Sequence, residues 1–189
     1  MRLFVALSIS AKVRENLASL LDQLRRADSR LRWIHPANLH VTLKFIGQVP
    51  DEKLSSINDV LSTVVRPAEL ALNFRGLGFF PHDRRPAVVW AGVQGPPGLA
   101  ALAGSIDESL AWCGIPRETR PFSPHLTLAR FKETQLTEPL RAQVQISKDR
   151  SFGEQIAREF QLMESKLKPS GAEYTTLRSF PFAVEELNQ

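Results

Sequence analysis

Two tetrapeptides constrain this 189-residue chain more than anything else in it: His40-Val41-Thr42-Leu43 and His125-Leu126-Thr127-Leu128. Each reads as the start of a half-buried strand, because side chains along a strand alternate between two faces. His40 and Thr42 then share one face while Val41 and Leu43 turn to a core. His125 and Thr127 do the same, backed by Leu126 and Leu128. Only four histidines are present, and two of them carry Thr two positions on and Leu three positions on. Positions 40 and 125 stand close to half the chain apart, and each follows a proline, Pro36 or Pro124. A fold that holds both copies presents two similar strands, which can line one cleft with two imidazoles and two hydroxyls.

The remaining segments arrange themselves around these strands. Leu3 to Ile9 reads as a central strand, and Ser10 caps a helix with Val13, Leu17, Leu20, Leu21 and Leu24 inward. Arg32-Trp33-Ile34 is a short extended piece stopped by His35-Pro36, since a residue before proline is pushed out of helix. Asn38 to Ile46 carries the first motif. Pro50-Asp51-Glu52 opens a second helix, with acids in its first turn and Leu54, Ile57, Leu61 and Val64 as its stripe. Strands Leu70 to Phe80 and Pro86 to Val93 flank the polar turn Pro81-His82-Asp83-Arg84-Arg85. A third helix runs from about Leu99 to Cys113, with Gly114 as its stop. His125 to Phe131 is the second motif strand, and Glu138 to Val144 is a short fourth helix. Two last strands, about Ala157 to Leu167 and Glu173 to Val184, are joined by Lys168-Pro169-Ser170-Gly171. Tight hairpins imply antiparallel pairing, so the fold class is α+β. Each half carries one motif strand among helices and strands, a weak internal duplication. No low-complexity linker parts the halves, so residues 1–189 are expected to form a single domain of two interleaved lobes.

Composition narrows the partners. The chain is 43% apolar and 23% charged, ordinary for a globular protein. Its net charge of +4 favours anionic partners such as RNA or nucleotides. One cysteine, Cys113, excludes an intrachain disulfide and fits a reducing compartment; it is expected to pack at a helix end. No apolar run approaches the ~20 residues of a membrane span. The expectation is a cytoplasmic protein with no membrane partner.

Two facing imidazoles suit acid and base work in one turnover, because histidine titrates near neutrality. One can take a proton from an attacking oxygen while the other protonates a leaving oxygen, as displacement at phosphorus requires. Threonine hydroxyls can donate to non-bridging phosphate oxygens, where charge grows. Such a site needs no metal and no cofactor, and no His, Cys, Asp or Glu cluster here has zinc-like spacing. Arg130 lies five residues beyond His125, so strict alternation turns it from the histidine face; a bulge would bring it back. Lys44 falls on the His40 face, to meet an RNA backbone or stand solvated, and Phe45 reads as core. Trp33 and Phe122 read first as core and second as base-stacking rings. Arg84, Arg85, Arg117 and Arg120 are candidates for a basic rim. His82 with Asp83 reads as a polar turn, and His35 as shaping the approach to the motif strand.

The paired His-x-Thr-x tetrapeptides resemble those of the 2H phosphoesterase superfamily. Met1 to Ala6, Asn38 to Gly47, Pro124 to Arg130 and Ser165-Lys166-Leu167 with Gly171 and Tyr174 resemble its RNA 2′,3′-cyclic phosphodiesterase (2′-5′ RNA ligase-like) family. The resemblance spans almost the whole chain. It implies a bilobal fold with pseudo-two-fold, duplicated antiparallel sheets around a central cleft and helices outside. It implies metal-free hydrolysis of an RNA end bearing 2′,3′-cyclic phosphate to a 2′-phosphate. By position, His40 would be the proton donor to the leaving 3′ oxygen and His125 the proton acceptor that activates water. Thr42 and Thr127 would hold phosphate. The implied partners are RNA ends or nucleotides with 2′,3′-cyclic phosphate, the protein acting as a monomer without an obligatory protein partner. Two alternatives stay open: an ATP-independent 2′-5′ RNA ligase, and a nucleotide- or RNA-binding module without turnover.

Overall fold

The computed structural model describes residues 1–133, 135–169 and 171–182. Along the chain run β1 (Arg2–Ser8), α1 (Ala11–Ala27), β2 (Arg32–Trp33), a 3-10 turn (Pro36–Asn38), β3 (His40–Gln48), α2 (Lys53–Ser62), β4 (Leu70–Phe80) and β5 (Val88–Gln94). Then come α3 (Pro97–Ala111), β6 (His125–Arg130), α4 (Glu138–Ile146), β7 (Ser151–Ala157), β8 (Glu159–Lys168) and β9 (Gly171–Pro181).

Local signals explain most boundaries. The Ser10 hydroxyl accepts from the Val13 amide at 3.3 Å and starts α1. Val13, Leu17, Leu20, Leu21 and Leu24 form its buried stripe, as expected. Gly114, at φ 74°, turns the chain away after α3. Asp51 and Glu52 stand before α2 instead of in its first turn. Asp51 lies 3.2 Å from the N-terminal ammonium, so the acid serves a chain-end contact. A further strand, β7, was not expected. Gly153, Glu154 and Gln155 dilute its apolar signal, and its identity comes from pairing along β4. Ser170, and the end of the last expected strand to Val184, lie outside the described residues.

The strands form one antiparallel sheet in the order β7-β4-β5-β6-β3-β1-β8-β9, with β2 added beside β6. Either side of the β6–β3 junction stand four strands in mirrored order, so each motif strand ends its own half-sheet and meets the other. The C-terminal hairpin β8–β9 returns to pair with β1, which completes the N-terminal half-sheet with the end of the chain. Leu3, Val5 and Leu7 of β1, Val41, Leu43 and Ile46 of β3, and Val89, Ala91 and Val93 of β5 all enter one buried core. Burying such side chains is worth roughly 1.5–3 kcal/mol each. The helices pack on that face, α1 over β7 and α3 over β3. The opposite face is left free, and the sheet curls around it as a half-barrel. No helix among the described residues is long and apolar enough to cross a membrane.

Candidate active site

The motif strands β3 and β6 touch through one register pair, Val41 opposite Leu126. In an antiparallel ladder that single pairing fixes its neighbours: His40 falls opposite Thr127, and Thr42 opposite His125. Val41 and Leu126 point to the core with no exposure. The four motif side chains therefore lie together on the free face, with the two imidazoles on one diagonal and the two threonines on the other. The pairing expected from the sequence is what the fold brings together.

A bulge then breaks the alternation at the same place in both copies. Along β1–β3 the register runs from Ala6↔Thr42 to Val5↔Lys44 and leaves Leu43 unmatched. Along β5–β6 it runs from Trp90↔Thr127 to Val89↔Ala129 and leaves Leu128 unmatched. One extra residue on one strand inverts the faces that follow it. In β6 the inversion buries both Leu128 and Ala129 and returns Arg130 to the histidine face, exposed. Its charge reaches His40. In β3 the same inversion corrects two expectations. Lys44 is not on the His40 face: it is 2% exposed, and its ammonium lies 2.6 Å from Asp107 of α3 and 3.5 Å from Glu118. It also donates to the Pro116 carbonyl at 2.7 Å. Burial pushes the Asp107 carboxyl up, but the Lys44 bond and charge hold it below its ordinary value. Phe45 is not core: it is 51% exposed and stands beside Phe4 on the cleft face.

Each imidazole is held in the same way. The His40 Nδ1–H donates to the Asn38 carbonyl at 2.8 Å, and the His125 Nδ1–H donates to the Ser123 carbonyl at 2.7 Å. A carbonyl only accepts, so Nδ1 carries the proton and each Nε2 is left to exchange one with a substrate. Each ring also meets an aromatic edge. His40 packs on Phe4 at 4.7 Å and edge-on against Tyr174 at 5.3 Å. His125 packs edge-on against Phe80 at 5.0 Å, and Phe80 in turn lies 5.2 Å from Trp90. Trp90 lies so close over β4 that a Cβ at Gly78 would run into its ring. His40 is the more enclosed of the two. Loss of water around it lowers its pKa, the Asn38 carbonyl works against that, and the charges of Arg130 and His125 add to the lowering.

Phe4, Phe80, Trp90, Tyr174 and Asn38 were not assigned to the site from the sequence. Strand parity was a usable signal for Phe4, which alternates with Leu3 and Val5. Parity gave no such signal for Tyr174, which entered only through the family resemblance: it reaches His40 because the β8–β9 hairpin curls back, where the Asn38 side chain donates to the Ala172 carbonyl at 2.8 Å. The other candidates fall away from the chemistry. The Trp33 indole donates to the Asp28 carbonyl at 2.8 Å, and Phe122 packs partly into the core. His35 caps the 3-10 turn through the Ala37 amide, and His82 accepts from the Arg85 amide in its turn. Arg117 pairs with Glu108 at 2.9 Å, while Arg84, Arg85 and Arg120 are exposed. Cys113 sits at the end of α3 against the Ser56 carbonyl.

A mirrored antiparallel sheet that presents two His-x-Thr-x strands to one cleft defines a phosphoesterase of the two-histidine class. The chain belongs to the 2′-5′ RNA ligase superfamily, whose family model matches residues 12–168. The RNA 2′,3′-cyclic phosphodiesterase of Archaeoglobus fulgidus is 38% identical over 95% of this chain and 99% of that protein. The protein of the same name from Methanothermobacter thermautotrophicus is 33% identical over 95% and 97%. Among solved structures, E. coli LigT complexed with 3′-AMP superposes with a TM-score of 0.76 at 28% identity, covering 96% of this chain and 97% of that one. A Thermus thermophilus protein gives a TM-score of 0.80 at 29% identity, covering 96% and 98%.

Proposed function

We propose that this protein hydrolyses the 2′,3′-cyclic phosphate at an RNA end to a 2′-phosphomonoester, with no metal and with His40 and His125 moving the protons. The observation that carries this reading is the diagonal pair of imidazoles, each with Nε2 free, on one face of adjoining strands. The full-length relatives named RNA 2′,3′-cyclic phosphodiesterase support it. His125, on the more open side, takes a proton from water as the water oxygen bonds to phosphorus. The bond from phosphorus to the 3′ oxygen breaks, and His40 supplies the proton that oxygen needs. Thr42 and Thr127 donate to the non-bridging oxygens, and Arg130 offsets their growing charge. The Phe45 ring, bare beside Phe4, is placed to stack on a base. Among the described residues no three His, Cys, Asp or Glu gather to hold a metal. The enzyme acts as a cytoplasmic monomer of one domain; its single cysteine agrees with a reducing compartment.

A donor must be protonated, yet enclosure holds the free His40 toward its neutral form. The anionic substrate supplies the missing partner: a negative charge nearby favours the imidazolium and moves the pKa back up. In NMR titrations His40 is accordingly expected to titrate below the ordinary histidine value of about 6.5 in the free protein. Saturating inorganic phosphate should raise that midpoint. A midpoint indifferent to phosphate would place the anion away from His40.

The hydrolysis itself is tested by mass analysis of an oligonucleotide ending in 2′,3′-cyclic phosphate after incubation in excess chelator. One added water, with the phosphate left on the 2′ oxygen, is the expected product. A 3′-phosphate, or activity abolished by the chelator, would contradict the reading. The family description favours a second reading, ATP-independent 2′-5′ joining, in which a 5′-hydroxyl takes the place of water and the same pair acts on its proton and on the leaving 3′ oxygen. Adding a 5′-hydroxyl RNA to the same assay separates the two, because joined product appears only in the second case.

A further inference from the structure

We infer that Phe80 is a positioning residue for His125, and that Trp90, seated on Gly78, holds Phe80 in that place. The inference rests on the proposed hydrolysis, in which the direction of the His125 Nε2 decides the rate.

The two imidazoles are not equally supported. His40 lies between two aromatic rings, Phe4 and Tyr174. Across the β5–β6 ladder His125 faces Gly92, which offers it no side chain. That position cannot carry one, because β4 comes too close: a Cβ on Gly92 would stand 2.5 Å from the Arg75 carbonyl oxygen. The Nδ1 bond to Ser123 sets the tautomer and anchors one edge of the His125 ring, about which the ring can still pivot. Phe80 closes that freedom from β4, at 5.0 Å and an interplanar angle of 76°. Among the described residues it is the only aromatic ring against His125.

Phe80 ends its strand and is only partly buried, so it needs a backing of its own. Trp90 provides it at 5.2 Å, the two rings inclined by 30°. The seat of the indole is built for it. Gly78 is the partner of Trp90 across the β4–β5 ladder, so a side chain there would share its face. The backbone does not ask for glycine: Gly78 has no positive φ, unlike Gly76 at 77°. The ring does, because a Cβ on Gly78 would run into Cζ2 and stand 2.7 Å from Cε2. The indole Nε1–H is buried and has no hydrogen-bond partner among the described residues, whereas buried indoles ordinarily find one. Shape, and not its polar handle, places this ring. A glycine inside a strand and a donor without an acceptor both cost stability, and both serve one end, a rigid wall behind Phe80.

The test measures kcat and KM on a nucleoside 2′,3′-cyclic phosphate, together with the NMR signals of the two imidazoles, in Phe80→Leu, Phe80→Tyr and Gly78→Ala. Phe80→Leu keeps an apolar side chain but loses the ring edge. It is expected to lower kcat about 10–100-fold, as a misplaced catalytic group does, with KM kept. Phe80→Tyr should restore most of that rate. Gly78→Ala, two residues away on β4, should reproduce the loss by unseating the indole. Added to Trp90→Phe, where the smaller ring leaves room, the same change should cost less than about twofold more. In Phe80→Leu and Gly78→Ala the carbon-bound proton signals of His125 should move, while those of His40 hold and report an intact fold. Should Gly78→Ala fail to fold, the two Phe80 variants decide alone. A raised KM with kcat kept would make Phe80 a binding surface and overturn the inference, as would a kept rate with unmoved His125 signals. The imidazole signals need no turnover: a wild type inert on the substrate, with His125 signals that still respond to Phe80, would overturn the proposed hydrolysis and leave the positioning standing.

Discussion

Replacing His125 with alanine is expected to lower kcat on a 2′,3′-cyclic phosphate end by roughly 10²–10⁴-fold, the usual worth of one positioned proton transfer. His40→Ala should fall in the same range. Neither change should move KM much, because each imidazole acts on charge that develops at the transition state. The two changes should also fail to multiply. Once one proton has no carrier, the other histidine has little left to stabilise, so the double variant should sit near the slower single one. Turnover of one oligonucleotide by the three variants checks this. A single variant that keeps near wild-type rate would remove that ring from the chemistry.

Lys44→Ala is expected to destabilise the protein by about 3 kcal/mol, while Phe45→Ala should change stability by less than about 1 kcal/mol. The ammonium is almost wholly buried and holds Asp107, Glu118 and the Pro116 carbonyl to the back of β3. Removing it strands the Asp107 carboxylate, which is one-fifth exposed, and that keeps the expected loss at the low end for a broken buried pair. Phe45 is half exposed, so its truncation empties no core. Strict alternation from His40 forecasts the reverse order. Denaturant melts of the two variants decide between them: a robust Lys44→Ala with a crippled Phe45→Ala would put the bulge at Leu43 in error.

That pair of residues also marks where sequence reading stops. The motif strands, their core-facing residues and the capped stripe of α1 follow from period and capping, which are local properties. The bulges at Leu43 and Leu128 are not local. An extra residue is accommodated when a neighbouring strand sets the register, and nothing in His40 to Gln48 alone announces it. Arg130 was legible only as conditional on such a bulge, and the same condition applied to the first copy would have moved Lys44 and Phe45 as well. Tyr174 and β7 were missed for a related reason. Tyr174 depends on how far the β8–β9 hairpin curls, and β7 owes its strand to β4 more than to its own side chains.

Division of labour between the two rings is the centre of the account, and a change of leaving atom tests it most directly. In a 3′-thio analogue of the cyclic phosphate, sulfur departs without needing a proton. His40→Ala should then regain most of the wild-type rate, while His125→Ala, still unable to activate water, should stay slow. Recovery of His125→Ala instead would exchange the two roles, and recovery of neither would mean that proton delivery to the leaving atom is not what His40 does.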